Sequence, residues 1–593
     1  MNFENPLIVQ TDRTLLLDVH APLAEECRDA LIPFAELIKS PEHLHTYQVT
    51  PLSLWNAASA GFSSDMAIET LKKYSRYDVP QSVEVWVKDT AERFGKLRLV
   101  PGPVIEVENG VKEEYLYLVS SSPFVFKEIE SNAFSKKFLV PCEYEMPSDS
   151  KTDLSENEKK FCFKLNLTDR GIIKQNLIKI GWPVKDDVPL VDGAPLEINL
   201  REETLSGKNF GVREYQQNAA ASLVGDKGPG TGFGTIVLPC GAGKTIVGMQ
   251  LMSILKTNTL IVTTNISAVH QWIDELMDKT NLTRDQIAEY TGESKSIKPV
   301  TVATYQILTW RPEKDGPYPH FSLFRSNNWG LIIYDEVHML PAPVFRVAAE
   351  LQAVRRVGLT ATLIREDGCE GHVFSLVGPK RFDVPWKELE KSRWIATAQC
   401  IEVRIPLEQG KEIEYAVAGN REKHRIASEN NLKLGIVKEL VEKCTEDKIL
   451  VIGQYLKQLN EIAAILKVPI VTGKTPNSER DRIFADFRNG SIKVLVVSKV
   501  ANFAIDLPDA SMAIQVSGTF GSRQEEAQRL GRILRPKERT SRFFTLITKD
   551  TVEEEFGNNR QKFLAEQGYS YRIIRYENSA SFDELDEREL IEF

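Results

Sequence analysis

The chain is poor in the residues that build metal sites and disulfide frameworks. Its 593 residues include seven cysteines and eight histidines. The cysteines, Cys27, Cys142, Cys162, Cys240, Cys369, Cys400 and Cys444, are scattered and form no Cys-x-x-Cys pair. Neither a zinc site nor a stapled scaffold is expected, and a reducing interior fits. The histidines show no metal-ligand spacing either. No apolar run approaches the roughly 20 residues of a membrane span. The start, Met1-Asn2-Phe3-Glu4-Asn5, lacks the basic and apolar regions of a secretory signal, so a cytoplasmic location without membrane contact is expected. Repeats and low-complexity tracts are missing. A basic excess is missing too: the net charge is −9. That argues weakly against a nucleic-acid partner without excluding one, because the charge that matters is local to a groove. The remainder, 42% hydrophobic and 26% charged, is ordinary for a globular chain, and the length calls for about three or four domains.

What is present begins with Pro239-Cys240-Gly241-Ala242-Gly243-Lys244-Thr245. An apolar run, Thr235–Leu238, precedes it and a helical pattern follows. Strand, glycine turn, Lys-Thr and helix make a phosphate-binding loop. Gly241 and Gly243 let backbone N–H groups converge on phosphate oxygens, and the helix adds the positive end of its dipole. Lys244 reaches the β- and γ-phosphates and the Thr245 hydroxyl ligates Mg²⁺. The strict pattern wants glycine where this chain has Leu238. An ordinary glycine turn before a helix is the alternative. Further along, Leu331-Ile332-Ile333-Tyr334-Asp335-Glu336-Val337-His338 reads as a buried strand delivering two acids to the carboxyl edge of a parallel sheet, where such folds bind ligands. Asp335 is placed to hold Mg²⁺, and Glu336 to activate the attacking water.

Short apolar strands alternate with amphipathic helices from residue 211 onward, the mark of parallel α/β architecture. Strands are expected at 235–238, 259–263, 300–303 and 331–334. Val269, Trp272, Ile273, Leu276 and Met277 form one apolar helical stripe among them. The pattern restarts with strands near 448–452, 493–497, 512–516 and 543–547, and 380–430 bridges the two halves. The second half lacks a phosphate loop but carries Gln528-Arg529-Leu530-Gly531-Arg532-Ile533-Leu534-Arg535. Arg532 and Arg535 stand one helical turn apart. They are read as arginine fingers reaching across an interdomain cleft, against the alternative of a solvated basic face. The fold class is therefore α/β, with two tandem parallel-sheet domains preceded by an α+β N-terminal region. The boundaries are 1–105 (helical), 106–200, 201–385 and 386–593.

These motifs, in this order, resemble those of superfamily 2 helicases and translocases, which implies that the two tandem parallel-sheet domains are RecA-like. Arg213-Glu214-Tyr215-Gln216 is similar to the adenine-sensing segment, with Gln216 the base contact. The resemblance puts Gly241, Ala242, Gly243, Lys244 and Thr245 in motif I, and Asp335 to His338 in motif II. Thr360-Ala361-Thr362 falls in motif III, Ser498-Lys499-Val500 with Asp506 in motif V, and Gln528, Arg532 and Arg535 in motif VI. His338, Thr360, Ala361, Thr362 and Asp506 would couple the ATP site to nucleic acid. Candidate strand contacts by motif position are Asn265, Gln271, Thr304, Thr472, Gly473, Ser498 and Lys499; for Asn265, helix capping is the alternative.

Within the superfamily the chain resembles XPB-type DNA helicases, nearest in form to the shorter prokaryotic members. Leu238 belongs to that family's form of motif I. Arg365-Glu366-Asp367 matches its characteristic element for opening duplex DNA, the alternative being a surface ion-pair cluster. The resemblance implies a damage-recognition-like domain over 106–200 and a short thumb near 409–430. It also implies ATP with Mg²⁺, 3′→5′ polarity on duplex and single-stranded DNA, and a role in nucleotide excision repair. A structure-specific nuclease or a repair assembly is the implied partner, in a nucleoid-associated monomer. An RNA-directed ATPase and a non-catalytic scaffold are the competing readings.

Overall fold

Strands Phe233–Val237, Thr259–Thr263 and Val300–Thr304 are buried at every residue. Strands covered on both faces read as continuous apolar runs, and that is the mark of a parallel sheet. In the computed structural model they belong to a seven-stranded parallel sheet. Its order is Ile287–Tyr290, Val300–Thr304, Thr259–Thr263, Leu331–Asp335, Arg355–Thr360, Phe233–Val237, Lys380–Asp383. A second seven-stranded parallel sheet runs Ile470–Val471, Val494–Val497, Ile449–Ile452, Met512–Gln515, Ser541–Thr548, Ala398–Ile405, Tyr571–Arg575. The structure describes residues 4–582 except 32, 40–42, 60, 108–110, 146–152, 167–168, 189, 191, 225–231, 240, 314–317, 341–353, 362–369, 385, 499–509, 519–525, 527–528, 532, 534–539, 567–568, 570 and 579–581.

The segment 380–430, expected to bridge the halves, is divided between them. Lys380–Asp383 closes the first sheet and Ala398–Ile405 enters the second. Two short helices follow in the expected thumb, Glu412–Val417 and Asn420–Ser428. The first leaves Ile413 and Val417 exposed. The Tyr415 hydroxyl accepts from Val552 N at 2.7 Å, and Lys433, fully buried, pairs with Glu553 at 2.8 Å.

The helical reading of residues 1–105 is too narrow. Leu7–Val9, Thr14–Asp18, Leu44–Gln48 and Glu36–Lys39 form a four-stranded antiparallel sheet beside helices Pro51–Ser59, Ser64–Tyr74 and Gln81–Ala91. Strands of three to five residues hold too few alternations to show a period of two. A five-stranded sheet follows, and its first strand is Leu97–Val107, so it starts ahead of residue 106.

Both N-terminal units lean on the helicase-like core. Arg170, Lys174 and Asp186 of the five-stranded unit are buried beside Arg356 and Phe233 of the first parallel sheet. Arg170 grips Asp186 with two hydrogen bonds, 2.7 and 3.0 Å, and Lys174 adds a third at 2.9 Å. Burial opposes ionisation of Asp186, but these two cations hold its carboxyl well below the usual range. Burial, with Arg356 and Arg170 nearby, pushes Lys174 down to about 8. One carboxylate thus bonds two buried cations, with Arg356 beside them. The antiparallel unit touches both lobes. Asn56 accepts from Lys380 N at 2.9 Å, and Trp55 packs with Phe374 and Ile178. On the other lobe, Ala565 of helix Val552–Glu566 enters the N-terminal core, and Glu25 pairs with Lys391 of the connecting helix.

Candidate active site

The carboxyl edge of the first sheet gathers the site. Strand Phe233–Val237 leads into the phosphate loop, and Leu331–Asp335 ends on the two acids. Between them lies Arg355–Thr360, which ends on Thr360-Ala361. Gly241 and Gly243 adopt left-handed backbone, φ 82° and 80°. A side chain at Gly243 would be strained and would place its Cβ 2.5 Å from Gln216 Nε2. Helix Lys244–Leu255 begins directly after Gly243, so Lys244 and Thr245 occupy its first turn.

Lys244 Nζ donates to Glu336 Oε1 at 2.8 Å. Glu336 itself stands at φ 50°, ψ 53°, a conformation costing a non-glycine residue about 1–3 kcal/mol. That bend turns the acid from the strand axis toward the loop lysine. His338 Nδ1 lies 2.6 Å from Thr360 Oγ1 and 3.5 Å from Glu336 Oε2. A short polar chain therefore runs Lys244, Glu336, His338, Thr360.

Asp335 receives Trp272 Nε1 at 2.9 Å and Thr263 Oγ1 at 3.3 Å on one carboxylate oxygen, and Glu336 N at 3.0 Å on the other. Desolvation, then the neighbouring Glu336 charge, pushes its pKa up to about 6. A carboxylate so placed gains from a cation, so the donor set of Thr245 and Asp335 fits Mg²⁺. No group of three or more potential metal ligands occurs among the described residues. The ion would have to complete its shell with nucleotide and water.

Gln216 is buried and tied to the loop: its Nε2 donates to Ala242 O at 2.9 Å and its Oε1 accepts from Arg213 N at 2.9 Å. Tyr215 OH donates to the same carbonyl at 2.6 Å. The Arg213 guanidinium stacks 4.6 Å over Trp394, in the segment joining the two sheets. Sequence reasoning passed over Trp394 and Thr263, and gave Tyr215 no role within its motif. It read Trp272 only as a stripe residue. Nothing in a period of 3.6 reveals that one indole N–H reaches across to an acid.

The strand-contact candidates cluster on neighbouring strand ends. Asn265 follows Thr259–Thr263, and Thr304 ends the adjacent strand, where Thr263 faces Thr304. Both side chains are engaged as helix caps, Asn265 accepting from Ala268 N at 3.0 Å and Thr304 from Ile307 N at 3.2 Å. For Asn265 the capping alternative is what the structure contains. The buried Thr304 caps the short helix that follows it in the same way. Gln271 is half-buried on the helix that Asn265 starts. In the second lobe Thr472 and Gly473 follow Ile470–Val471, and Ser498 follows the paired strand Val494–Val497. Thr362, Arg365, Glu366, Asp367, Lys499, Asp506, Gln528, Arg532 and Arg535 lie outside the described residues. Two described residues of the same stretch of sequence, Glu526 and Arg529, belong to a buried network. Glu526 accepts from Gln515 Nε2 at 2.8 Å, and Arg529 donates to Gln515 Oε1 at 2.5 Å.

Breaking the last link of the polar chain has a specific expected result. Thr360→Val removes the partner of His338 and should lower strand separation roughly tenfold, the worth of one hydrogen bond, while ATP turnover stays within about threefold. Parallel ATPase and unwinding assays on one preparation measure this.

Tandem parallel sheets, one with a phosphate loop facing an acid pair, define a two-lobed P-loop nucleoside triphosphatase of the helicase type. Residues 389–590 match the ERCC3/RAD25/XPB C-terminal helicase family, 209–365 the type III restriction enzyme res subunit family, and 7–141 a helicase conserved C-terminal domain family. The chain is 47% identical over 573 residues to the DNA 3'-5' helicase XPB of Kineococcus radiotolerans, with 96% of each chain covered. It is 48% identical over 574 residues to the protein of that name from Mycobacterium tuberculosis, covering 96% of this chain and 98% of that one. A general transcription and DNA repair factor IIH helicase/translocase subunit XPB, from Enterocytozoon bieneusi, is 31% identical over 602 residues, 98% and 94% covered. The chain belongs to the XPB helicase family.

Proposed function

We propose that the chain is an ATP-driven DNA helicase and duplex translocase of 3′→5′ polarity, working in nucleotide-excision-type repair. The observation that carries the mechanism is the Lys244–Glu336 ion pair. A triphosphate entering the loop draws Lys244 onto its phosphate oxygens. Glu336 is thereby released to accept a proton from the attacking water. Thr245 and Asp335 would hold Mg²⁺, which supplies neutralisation of phosphate charge. Arg532 and Arg535 are placed by motif to complete the site from the second lobe. ATP binding then draws the lobes together through contacts that exist only in the closed state. His338 and Thr360 pass the state of Glu336 to the strand edge.

Asn265, Gln271, Thr304, Thr472, Gly473, Ser498 and Lys499 are proposed as the track for phosphate contacts, through backbone amides and helix ends where the side chains cap. Arg365, Glu366 and Asp367 are proposed as the element that parts the duplex. Residues 106–200 are proposed as the lesion-sensing unit and 409–430 as the thumb. Both halves of the ATP site lie in one chain, which favours a monomer. The partner is proposed to be a structure-specific nuclease or a repair assembly, at the nucleoid. Among the described residues, no helix is long and apolar enough to cross a membrane.

Nucleic-acid dependence of ATP turnover tests the reading. Duplex or tailed DNA is expected to stimulate it, with unwinding of 3′-tailed substrates. Stimulation by RNA alone would support the RNA-directed alternative, and no turnover with any nucleic acid would support a scaffold.

A further inference from the structure

Strand Val140–Cys142 is the edge strand of the five-stranded sheet and pairs antiparallel with Cys162–Asn166. In that register Cys142 sits directly opposite Cys162. Their sulfurs are 3.7 Å apart and both thiols are free. Cα atoms directly opposite one another in antiparallel strands are about 4.5–5.5 Å apart, inside the range of about 4.4–6.8 Å that a disulfide spans. Closing the sulfurs to about 2.05 Å asks for side-chain rotation, not a new backbone path.

The two thiols are not equivalent. Cys162 is fully buried in a small cluster with Val100, Tyr117, Val119 and Leu154. Cys142 is half-buried at the strand end, where the chain continues toward the polar stretch Pro147–Asp153. The contact between the two sulfurs, together with Lys164, lowers the Cys142 pKa against the effect of burial, while that of Cys162 is raised. An accessible thiol with a favoured thiolate beside a shielded resolving thiol is the arrangement of redox-sensing pairs.

We propose that Cys142 and Cys162 form a reversible modification site, oxidised by peroxides to an intramolecular disulfide that fastens the edge strand of this unit. The Cys142 thiolate attacks one peroxide oxygen. The S–O bond forms, the O–O bond breaks, and hydroxide leaves and takes up a proton. The Cys162 thiol gives up its proton and its sulfur attacks Cys142. The S–S bond forms, the S–O bond breaks, and a second water departs. Two thiols lose two electrons and one peroxide gains them. The bond closes the 143–161 segment into a ring, on a unit already fixed to the first lobe through Asp186. This modification is independent of the ATP site.

Hydrogen peroxide is added to the full-length chain near stoichiometry, and remaining thiols are alkylated after unfolding and mapped by peptide mass spectrometry. The expected result is one cross-linked peptide pair joining Cys142 to Cys162, formed at least about tenfold faster than oxidation of the buried Cys27, Cys400 or Cys444, and reversed by dithiothreitol. In Cys162→Ser, Cys142 should stop at sulfenic acid and be trapped by dimedone. In Cys142→Ser, Cys162 should stay reduced. Wild-type Cys142 reacting no faster than Cys27, a disulfide made between chains, or dimedone labelling of Cys162 instead of Cys142 would overturn the proposal. The wild-type mapping needs no variant to fold.

Discussion

Glu336→Gln is expected to lower ATP turnover by about 10²–10⁴-fold, the usual worth of a positioned general base, while nucleotide binding is kept or tightened. The two effects come from one contact. In the structure Lys244 is held by Glu336 at 2.8 Å, so an incoming phosphate competes with a carboxylate for the same ammonium group. The amide substitution removes that competitor and the base together. Lys244→Ala separates from it, losing both binding and turnover. Titration with a fluorescent nucleotide followed by single-turnover hydrolysis distinguishes the two variants. Turnover unchanged in Glu336→Gln would remove the acid from the proposed mechanism.

The second large effect lies far from the phosphate loop. Asp186→Asn is expected to destabilise the fold by about 3–5 kcal/mol, the usual cost of breaking a buried ion pair from one side. It leaves Arg170 and Lys174, both buried, facing Arg356 without their counter-charge. Because the Asp186 carboxyl is held below its ordinary value, its contribution is complete above the ordinary carboxylate range. It is lost as pH falls through the depressed value. Denaturant unfolding of wild type and variant at neutral pH measures the difference. Limited proteolysis should find the five-stranded unit released from the first lobe. A loss below about 1 kcal/mol would mean that Asp186 does not balance the cluster.

The sequence exposed the parallel core well, because strands buried on both faces carry their signal locally. Thr259–Thr263 was bounded to the residue, and Leu331–Asp335 to within one. The acid pair and the phosphate loop were legible for the same reason: each is a contiguous chemical pattern. What stayed hidden depends on residues far apart in the chain. Trp272 reaches Asp335 only because two strands separate their elements in sequence but not in space. Nothing local to Arg170, Lys174 and Asp186 in the sequence shows that they are buried beside Arg356 and Phe233. The short N-terminal strands were hidden among the longer helical patterns of residues 1–105. Strand Lys380–Asp383, half-buried at every residue, carried no clear period.

The N-terminal antiparallel unit is seated at once on Lys380 of one lobe and on Ala565 of the other, so it links the two parallel sheets by a route separate from the chain that joins them. A change in the gap between the lobes would be felt at the unit's two corners, its seat on each lobe. The corner built on Trp55, Phe374 and the Asn56 hydrogen bond is apolar and keyed, whereas the other includes the solvent-exposed Glu25–Lys391 pair. The N-terminal unit therefore meets one lobe through an apolar contact and the other through a buried alanine beside an ion pair open to solvent.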